Sequence, residues 1–127
     1  MLLASDARVG ADGPFKIGLN EVQIGMPLPI LGMELARQRL APAYLTAATL
    51  FATTVEPSLA ATWGYLDTVV PTVEVRARAV AEATRLGALA QPAYAKTKIA
   101  LREATIRYVR ATLADDMQRL TVGVPGT

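Results

Sequence analysis

The sequence contains no cysteine and no histidine. Without cysteine, the chain has no disulfide framework and no thiolate metal site. Without histidine, it lacks the commonest acid–base group near neutral pH and the commonest metal ligand. Ser–His–Asp, Cys–His and histidine-based zinc chemistry are therefore excluded within this chain. Proton transfer near pH 7 has to use a carboxylate, a tyrosine or a lysine.

Long apolar runs are also missing. The longest uncharged stretch lies between Arg39 and Glu56, and Pro42 and four threonines interrupt it. A membrane-spanning helix needs about 20 predominantly apolar residues, so no membrane partner is predicted. Asp6 and Arg8 come before any apolar segment long enough for a signal peptide. Together with the absence of cysteine, this favours a cytoplasmic location.

Neither sign of charge dominates the sequence. The 13 basic and 11 acidic residues are interspersed and leave a formal net charge of +2. Nucleic-acid binding needs a one-sided basic patch, so no nucleic-acid partner is predicted. Apolar residues, by contrast, are abundant at 52% of the chain. Because a domain of this size buries only about two thirds of its unfolded surface, the surplus favours a partner surface, as in an oligomer.

The length of 127 residues suits one small domain. Apolar residues alternate with other residues over 15–19, which predicts a short strand, and further strands are predicted near 6–9 and 66–70. Helical periodicity and proline punctuation predict five or six helices, the main ones over 30–40, 44–54, 58–64, 72–89 and 93–120. Two or three strands are too few for a self-standing α/β core. Either they pair with polypeptide absent from the sequence, or the chain is a mostly helical unit.

Residues 15–29 carry the pattern that points to chemistry. The predicted strand ends at Asn20 and Glu21, and apolar residues and a Gly-Met-Pro-Leu-Pro break follow. A lone carboxylate between a strand end and an apolar turn is placed to act as a proton shuttle. A glutamate after asparagine is also typical of a solvated helix start, and the pattern alone favours this second interpretation.

Three segments, in order, resemble one known family. The first is LLASDARVGADGPFKIGLNEVQIGM, the second is WGYLDTVVP, and the third is QPAYAKTKIALREA. They resemble the middle and C-terminal elements of the crotonase superfamily, the enoyl-CoA hydratase and isomerase group, over residues 2–113. In the first segment, the residues that stand in the family's order and spacing are Asp6, Phe15, Gly18, Leu19, Glu21 and Gly25.

The resemblance implies an α/β fold that forms the C-terminal portion of a crotonase-like enzyme. A single partial domain over 1–127 would comprise a remnant of the spiral core at 1–70, a C-terminal helical part at 71–120 and a tail at 121–127. The implied activity is that of a lyase or isomerase of fatty acid metabolism. Its substrate would be an acyl-CoA thioester, with coenzyme A as part of the substrate and no separate cofactor or metal. Glu21 would be the catalytic acid–base of enolate chemistry, and the assembly would be a homo-oligomer, a trimer or hexamer.

The sequence also departs from the family pattern. Counted back from Asp6, the family's other catalytic acid and an oxyanion-hole glycine fall ahead of Met1. The chain is therefore expected to be the C-terminal half of an enzyme and inactive alone. After Glu21, the Gly-rich helix start of common hydratases is missing, and GLNE replaces the usual GLPE, which favours a different acyl pocket. The alternative is a non-catalytic helical remnant or an oligomerisation module.

The last predicted helix carries several other candidates. Lys96, Lys98 and Arg102 either reach the phosphates of coenzyme A or are solvated charges, and the solvated alternative is favoured. Asp115 and Asp116 point apart on a helix, so surface charge is expected rather than a metal pair. The helix also has an apolar seam that is expected to cover a neighbouring subunit or its own site: Ala95, Ile99, Ile106, Val109, Leu113, Met117 and Leu120.

Overall fold

The computed structural model describes residues 2–122, which form five α-helices and one two-stranded sheet. In chain order the elements are β1 (Val9–Ala11), α1 (Ile30–Arg39), α2 (Leu45–Thr49), α3 (Pro57–Trp63), β2 (Thr68–Val70), α4 (Val75–Gly87) and α5 (Gln91–Val122). Short 3-10 turns occur at Leu2–Ala4, Val22–Ile24, Pro42–Tyr44 and Thr72–Glu74. The predicted content of mostly helix with two or three short strands is confirmed.

Prolines and one glycine set the helix boundaries. Pro29 lies just before α1, and Pro57 is the first residue of α3, where its missing N–H costs no helical hydrogen bond. α3 ends at Gly64, whose φ of 96° is left-handed, a conformation that glycine adopts without steric cost. A Cβ at this position would lie 2.4 Å from the carbonyl oxygen of Arg39. The close approach therefore requires glycine for a second reason.

The two strands are parallel, with Val9 opposite Thr68 and Ala11 opposite Val70. The strand predicted over 15–19 is wrong. In that segment only Ile17 pairs, in an isolated antiparallel bridge to Val55 whose two N–H···O distances are both 2.9 Å. Alternation shows that one face is half-buried, but it does not show that a neighbouring strand runs alongside.

Apolar burial is concentrated in the first half of the chain. The buried hydrophobic residues are Leu3, Ala36, Leu40, Ala48, Ala52, Val55, Ala60, Trp63, Tyr65 and Leu66. Within this core, the rings of Tyr44 and Trp63 stack with centroids 5.0 Å apart and an interplanar angle of 6°. The helix predicted over 44–54 ends early, at Thr49, and the chain passes through a positive φ of 49° at Ala52 before it reaches the bridge to Ile17.

α5 is a long helix that packs on α1, and polar side chains form part of this contact. Gln38 Nε2 donates a hydrogen bond to Thr105 Oγ1 at 2.5 Å, and Arg102 Nη1 donates to Gln38 Oε1 at 3.2 Å. Most of the predicted apolar seam faces outward, and Ile99 is 61% exposed. Of the tail predicted over 121–127, the first two residues end α5 and residues 123–127 lie outside the described range.

Candidate active site

Glu21 lies at the start of the 3-10 turn Val22–Ile24. Its carbonyl oxygen accepts hydrogen bonds from the backbone N–H groups of Ile24 at 3.1 Å and Met26 at 2.9 Å. Gly25 closes the turn with a left-handed φ of 78°, which glycine favours. The sequence Glu-Val-Gln-Ile-Gly-Met thus forms a tight turn that fixes the backbone at Glu21.

The turn is held against the loop that follows α2. Gln23 Nε2 donates a hydrogen bond to the carbonyl oxygen of Ala52 at 2.8 Å. On the other side of Glu21, Gly18 packs so closely on Thr54 that a Cβ would lie 2.9 Å from Cγ2 and 3.0 Å from Cα of that residue. Both flanks of the catalytic candidate are therefore anchored, which is what a precisely placed side chain needs.

Glu21 lines a cavity of about 370 Å³. This volume lies toward the small end of the range of roughly 300–1,000 Å³ that is usual for small-molecule sites. The other lining residues are Leu2, Leu3, Ile17, Gly18, Leu19, Pro29, Leu31, Gly32, Leu35 and Tyr65. All of them except Tyr65 are apolar, so the cavity suits a hydrocarbon chain.

Two residues of the cavity lining each have a buried polar atom that lacks a well-formed hydrogen bond. Glu21 Oε2 is buried without a hydrogen-bond partner among the described residues. Tyr65 is only 2% exposed, and its hydroxyl has no more than a poorly aligned contact with the backbone of Leu19. Leaving a buried polar group unpaired costs about 1–3 kcal/mol. Such groups are rare in folded proteins and call for an explanation. Both atoms expose less than 1 Å² of surface, so a ligand in the cavity reaches them only if the surrounding side chains move.

Burial raises the pKa of Tyr65 to about 12, hydrogen bonding from the backbone of Leu19 offsets part of the rise, and the charge of Glu21 adds a smaller contribution to it. The Tyr65 hydroxyl is therefore protonated at neutral pH and available as a donor. The sequence assigns no role to Tyr65, which stands there only as one residue of the WGYLDTVVP segment.

The basic residues proposed for coenzyme A phosphates form a different cluster. Asp6 accepts hydrogen bonds from Lys98 Nζ and from the Tyr94 hydroxyl, the latter at 2.6 Å, and Arg102 Nη2 lies 3.5 Å from its carboxylate. The hydrogen bonds from Lys98 and Tyr94 lower the pKa of Asp6. Lys98 and Arg102 are thus ion-paired rather than simply solvated, whereas Lys96 is exposed.

This cluster lines a second cavity of about 370 Å³ that shares no lining residue with the Glu21 cavity. Nearby, Arg8 is 6% exposed and forms a two-pronged ion pair with Asp67, with Nε and Nη2 at 2.9 and 2.6 Å from the carboxylate oxygens. The hydrogen bond from Arg8 lowers the pKa of Asp67. This pair fixes the segment before β1 to the segment before β2.

Asp116 is not the surface charge that the sequence predicts. It is 9% exposed, and its Oδ2 accepts a hydrogen bond at 2.8 Å from the backbone N–H of Ile30, at the start of α1. Pro29, the residue before α1, has no side-chain oxygen with which to cap the helix. The cap comes instead from α5, 86 residues away. Asp115 is exposed, as expected.

Comparison with known proteins decides the family. A model of the family described as enoyl-CoA hydratase/isomerase matches residues 1–122. The chain belongs to this family. The match confirms the resemblance to the crotonase superfamily that rests on three sequence segments. No curated protein sequence matches the chain.

Solved structures agree with the family in both fold and sequence. A family protein from Pseudomonas syringae is 39% identical, with a TM-score of 0.88, over 94% of this chain and 52% of that chain. The enoyl-CoA isomerase of Mycobacterium tuberculosis is 31% identical, with a TM-score of 0.85, over 92% and 51%. Human mitochondrial delta3-delta2-enoyl-CoA isomerase is 28% identical, with a TM-score of 0.87, over 93% and 46%.

The chain therefore has part of a crotonase-like α/β fold and spans about half the length of these structures. Within residues 2–122, no helix combines the length and the apolar character that crossing a membrane requires.

Proposed function

We propose that this chain forms the glutamate-bearing part of an acyl-CoA isomerase or hydratase site, in which Glu21 moves a proton at the acyl carbons of a thioester. The observation that carries the proposal is that Glu21 is the one carboxylate in the lining of a cavity whose other lining residues are mostly aliphatic. The lining accepts an acyl chain by apolar contact. The carboxylate is the base, and its conjugate acid returns the proton.

Isomerisation is the step that one carboxylate can complete. Glu21 takes a proton from C2 of a 3-enoyl thioester, the C3–C4 double bond shifts to C2–C3 as the dienolate forms and collapses, and the same carboxyl group delivers the proton to C4. Glu21 is the single carboxylate among the residues that line the cavity. Hydration, for which the family resemblance implies two carboxylates, is less well served by this lining, while the solved relatives carry both names.

The dienolate oxygen needs preorganised N–H donors, which usually make the largest catalytic contribution. The family resemblance assigns these donors to positions ahead of Met1. The 127-residue polypeptide tested by itself is therefore expected to be inactive, and activity is expected once the missing elements are supplied. The substrate in this proposal is an acyl-CoA, the location is cytoplasmic, and no cofactor besides the coenzyme A of the substrate takes part.

A second candidate function is that of an oligomerisation module. The observation that favours it is the row of exposed apolar side chains on α5, which includes Ile99, Ile106 and Leu113. In this alternative the chain binds a homologous subunit, as a trimer or hexamer, without performing chemistry. The two functions are compatible if α5 assembles subunits and Glu21 serves the site of each.

A chimera tests the catalytic proposal. The N-terminal half of the Pseudomonas syringae relative, fused ahead of Met1, is expected to convert a 3-enoyl-CoA to the conjugated 2-enoyl-CoA, followed by the ultraviolet absorbance of the product. Glu21→Gln is expected to lower kcat about 10²- to 10⁴-fold. Glu103→Gln is the matched control, because Glu103 is 63% exposed and pairs only with Arg107 among the ion pairs found, at 3.3 Å.

Three results would contradict the proposal in distinct ways. An active chimera in which Glu21→Gln keeps full activity would remove Glu21 from the mechanism. Turnover by the 127-residue chain alone, lost in Glu21→Gln, would show that the donors lie within this chain. A chimera that folds and assembles but turns over neither 3-enoyl nor 2-enoyl thioesters would favour the oligomerisation module.

A further inference from the structure

The outer face of α5 carries a row of five exposed apolar side chains that is arranged symmetrically about Ile106. Ile99 and Leu113 each lie seven residues from Ile106. Ala95 and Met117 each lie eleven residues from it. Seven residues are close to two helical turns and eleven are close to three, so the five side chains form one line along the helix, called here the α5 row. The spacing along this row is the same from either end.

Two exposed residues of opposite charge border the α5 row on one side. Glu103 lies three residues before Ile106, and Arg110 lies four residues after it. Because Glu103 and Arg110 are seven residues apart, they lie on the same side of the row. In an antiparallel pair of α5 helices centred on Ile106, Glu103 of one copy comes beside Arg110 of the other, and symmetry forms the reverse pair. This charge complementarity fits a second copy of the same chain.

Packing within the chain decides between antiparallel and parallel pairing. Gln38 of α1 hydrogen bonds with Thr105 and Arg102, which lie on the side of the row opposite to Glu103. A two-fold axis perpendicular to the helices brings the exposed charged side of one copy against the same side of the other. A two-fold axis parallel to the helices brings it against the side that α1 occupies. The antiparallel arrangement is therefore favoured.

We propose that α5 binds α5 of a second copy of this chain in an antiparallel pair whose two-fold axis passes beside Ile106. Ile106 then contacts its own counterpart, and Ile99 packs on Leu113 of the second copy. A contact made by one row of side chains is smaller than a standard interface, so the dimer is expected to be weak and to dissociate on dilution. The pairing rests on the second candidate function, that of an oligomerisation module, and is independent of the chemistry of Glu21.

Sedimentation equilibrium of the 127-residue chain, from micromolar to millimolar protein, tests the dimer. A reversible equilibrium between monomer and dimer is expected. Ile106→Glu is expected to abolish the dimer, because the two-fold axis sets the two new carboxylates beside each other. Leu101→Glu is the matched control, since Leu101 is also exposed and lies on the opposite face of the same helix, and it is expected to keep the dimer. Circular dichroism checks that both variants retain the helix content of the wild type.

Cysteine crosslinking tests the orientation, because the chain contains no cysteine of its own. Ile99→Cys and Leu113→Cys are mixed and oxidised. The mixed disulfide dimer is expected to exceed the dimers of either variant with itself, since antiparallel pairing brings these two positions within reach of a disulfide. Self-crosslinking of Ile99→Cys in excess over the mixed dimer would indicate parallel pairing and would overturn the proposed arrangement.

A charge exchange tests the two ion pairs that border the row. Arg110→Glu is expected to weaken the dimer about 2- to 30-fold, the range that two exposed ion pairs provide. Glu103→Arg in the same chain is expected to restore the dimer, because it re-forms both pairs with the charges exchanged. A double variant as weak as Arg110→Glu alone would contradict the pairing of Glu103 with Arg110.

The outcomes separate this inference from the proposed functions. A chain that stays monomeric at every concentration, or a dimer that Ile106→Glu leaves intact, would overturn the inference. Trimers that Ile106→Glu leaves intact would keep the oligomerisation module and overturn the two-fold pair. A dimer that disappears when the N-terminal half of the relative is fused ahead of Met1 would show that this half, rather than a second copy, covers the α5 row in the assembled enzyme. The turnover assay with Glu21→Gln tests the catalytic proposal separately from all of these.

Discussion

The two halves of this chain are stabilised in different ways. Every buried hydrophobic residue of the described range lies between Leu3 and Leu66, and two of them, Leu3 and Tyr65, also line the Glu21 cavity. α4 and the part of α5 up to Leu120 bury none of their apolar side chains fully, and Ile99 and Leu101 on α5 are 61% and 74% exposed. Apolar burial therefore builds the region that holds the candidate site, and something else positions the helices that follow it.

Polar contacts position α5. Its Lys98 and Arg102 pair with Asp6 just before β1, and its Asp116 caps α1 at Ile30. Hydrogen bonds and ion pairs need specific partners at specific distances, whereas apolar contact tolerates sliding. The comparison suggests that apolar burial in the first region stabilises the fold, and that the polar contacts of α5 fix the position of that helix. The following substitutions test that division.

Trp63→Ala is expected to have the largest effect. Trp63 is 7% exposed and stacks on Tyr44 in the centre of the core. Truncating a buried aromatic side chain leaves a cavity and costs about 3–5 kcal/mol, so the variant is expected to lose most of its cooperative unfolding transition. Urea denaturation followed by circular dichroism measures this loss. A cost below about 1 kcal/mol would mean that the core is not the main source of stability.

Asp116→Ala is expected to have an intermediate effect, because it removes the cap of α1. Losing a helix cap costs about 0.5–2 kcal/mol, and the negative charge at a helix N-terminus adds to this. Asp115→Ala is the control, since its carboxylate is exposed one residue away, and it is expected to change the free energy of unfolding by less than about 0.5 kcal/mol. Equal costs for both variants would contradict the capping role.

Asp6→Asn is expected to have a smaller effect that depends on pH. The pKa of Asp6 is lowered by hydrogen bonds from Lys98 and Tyr94, so its ionised form stabilises the folded state. This contribution is present above the unfolded pKa of about 3.9 and is lost as the pH falls through the lowered folded pKa. At pH 7 it is expected to be about 1 kcal/mol or less, because the site is partly solvent-screened.

The check on Asp6 is a pair of unfolding curves at each pH from 7 down to 2. The difference between the wild type and Asp6→Asn is expected to be constant down to about pH 5 and to vanish in strong acid. Asp115→Asn, the same change at an exposed carboxylate, serves as the control. A difference that stays constant down to pH 2 would show that Asp6 contributes through packing rather than through charge.

Local chemistry explains what could be predicted from the sequence. Pro29, Pro57 and Gly64 marked helix boundaries correctly, because each acts through its own backbone geometry. The family could be recognised because its motifs preserve order and spacing. Glu21 was identified through that resemblance, since its residue pattern alone favoured a solvated position. Glu21 lines the cavity, and its catalytic role stays a prediction.

Features that depend on distant contacts could not be predicted. The cap on α1 joins Ile30 to Asp116, and no local pattern distinguishes Asp116 from its exposed neighbour Asp115. The segment 15–19 forms one bridge at Ile17 instead of the predicted strand, because pairing depends on a distant partner, here Val55. Tyr65 was missed because a phenol after a helix-ending glycine resembles any other core residue until the cavity beside it is known.

Ile99→Ala is expected to have the smallest effect and gives the sharpest comparison of the two regions. Ile17→Ala makes the same truncation at the cavity wall, where Ile17 packs against the core, and is expected to cost more than about 1 kcal/mol. Ile99 is 61% exposed, so its truncation is expected to change the free energy of unfolding of the isolated chain by less than about 0.5 kcal/mol. If the two costs were equal, Ile99 would be covered in solution. The stability would then rise with protein concentration, and sedimentation would place the α5 face in a subunit interface.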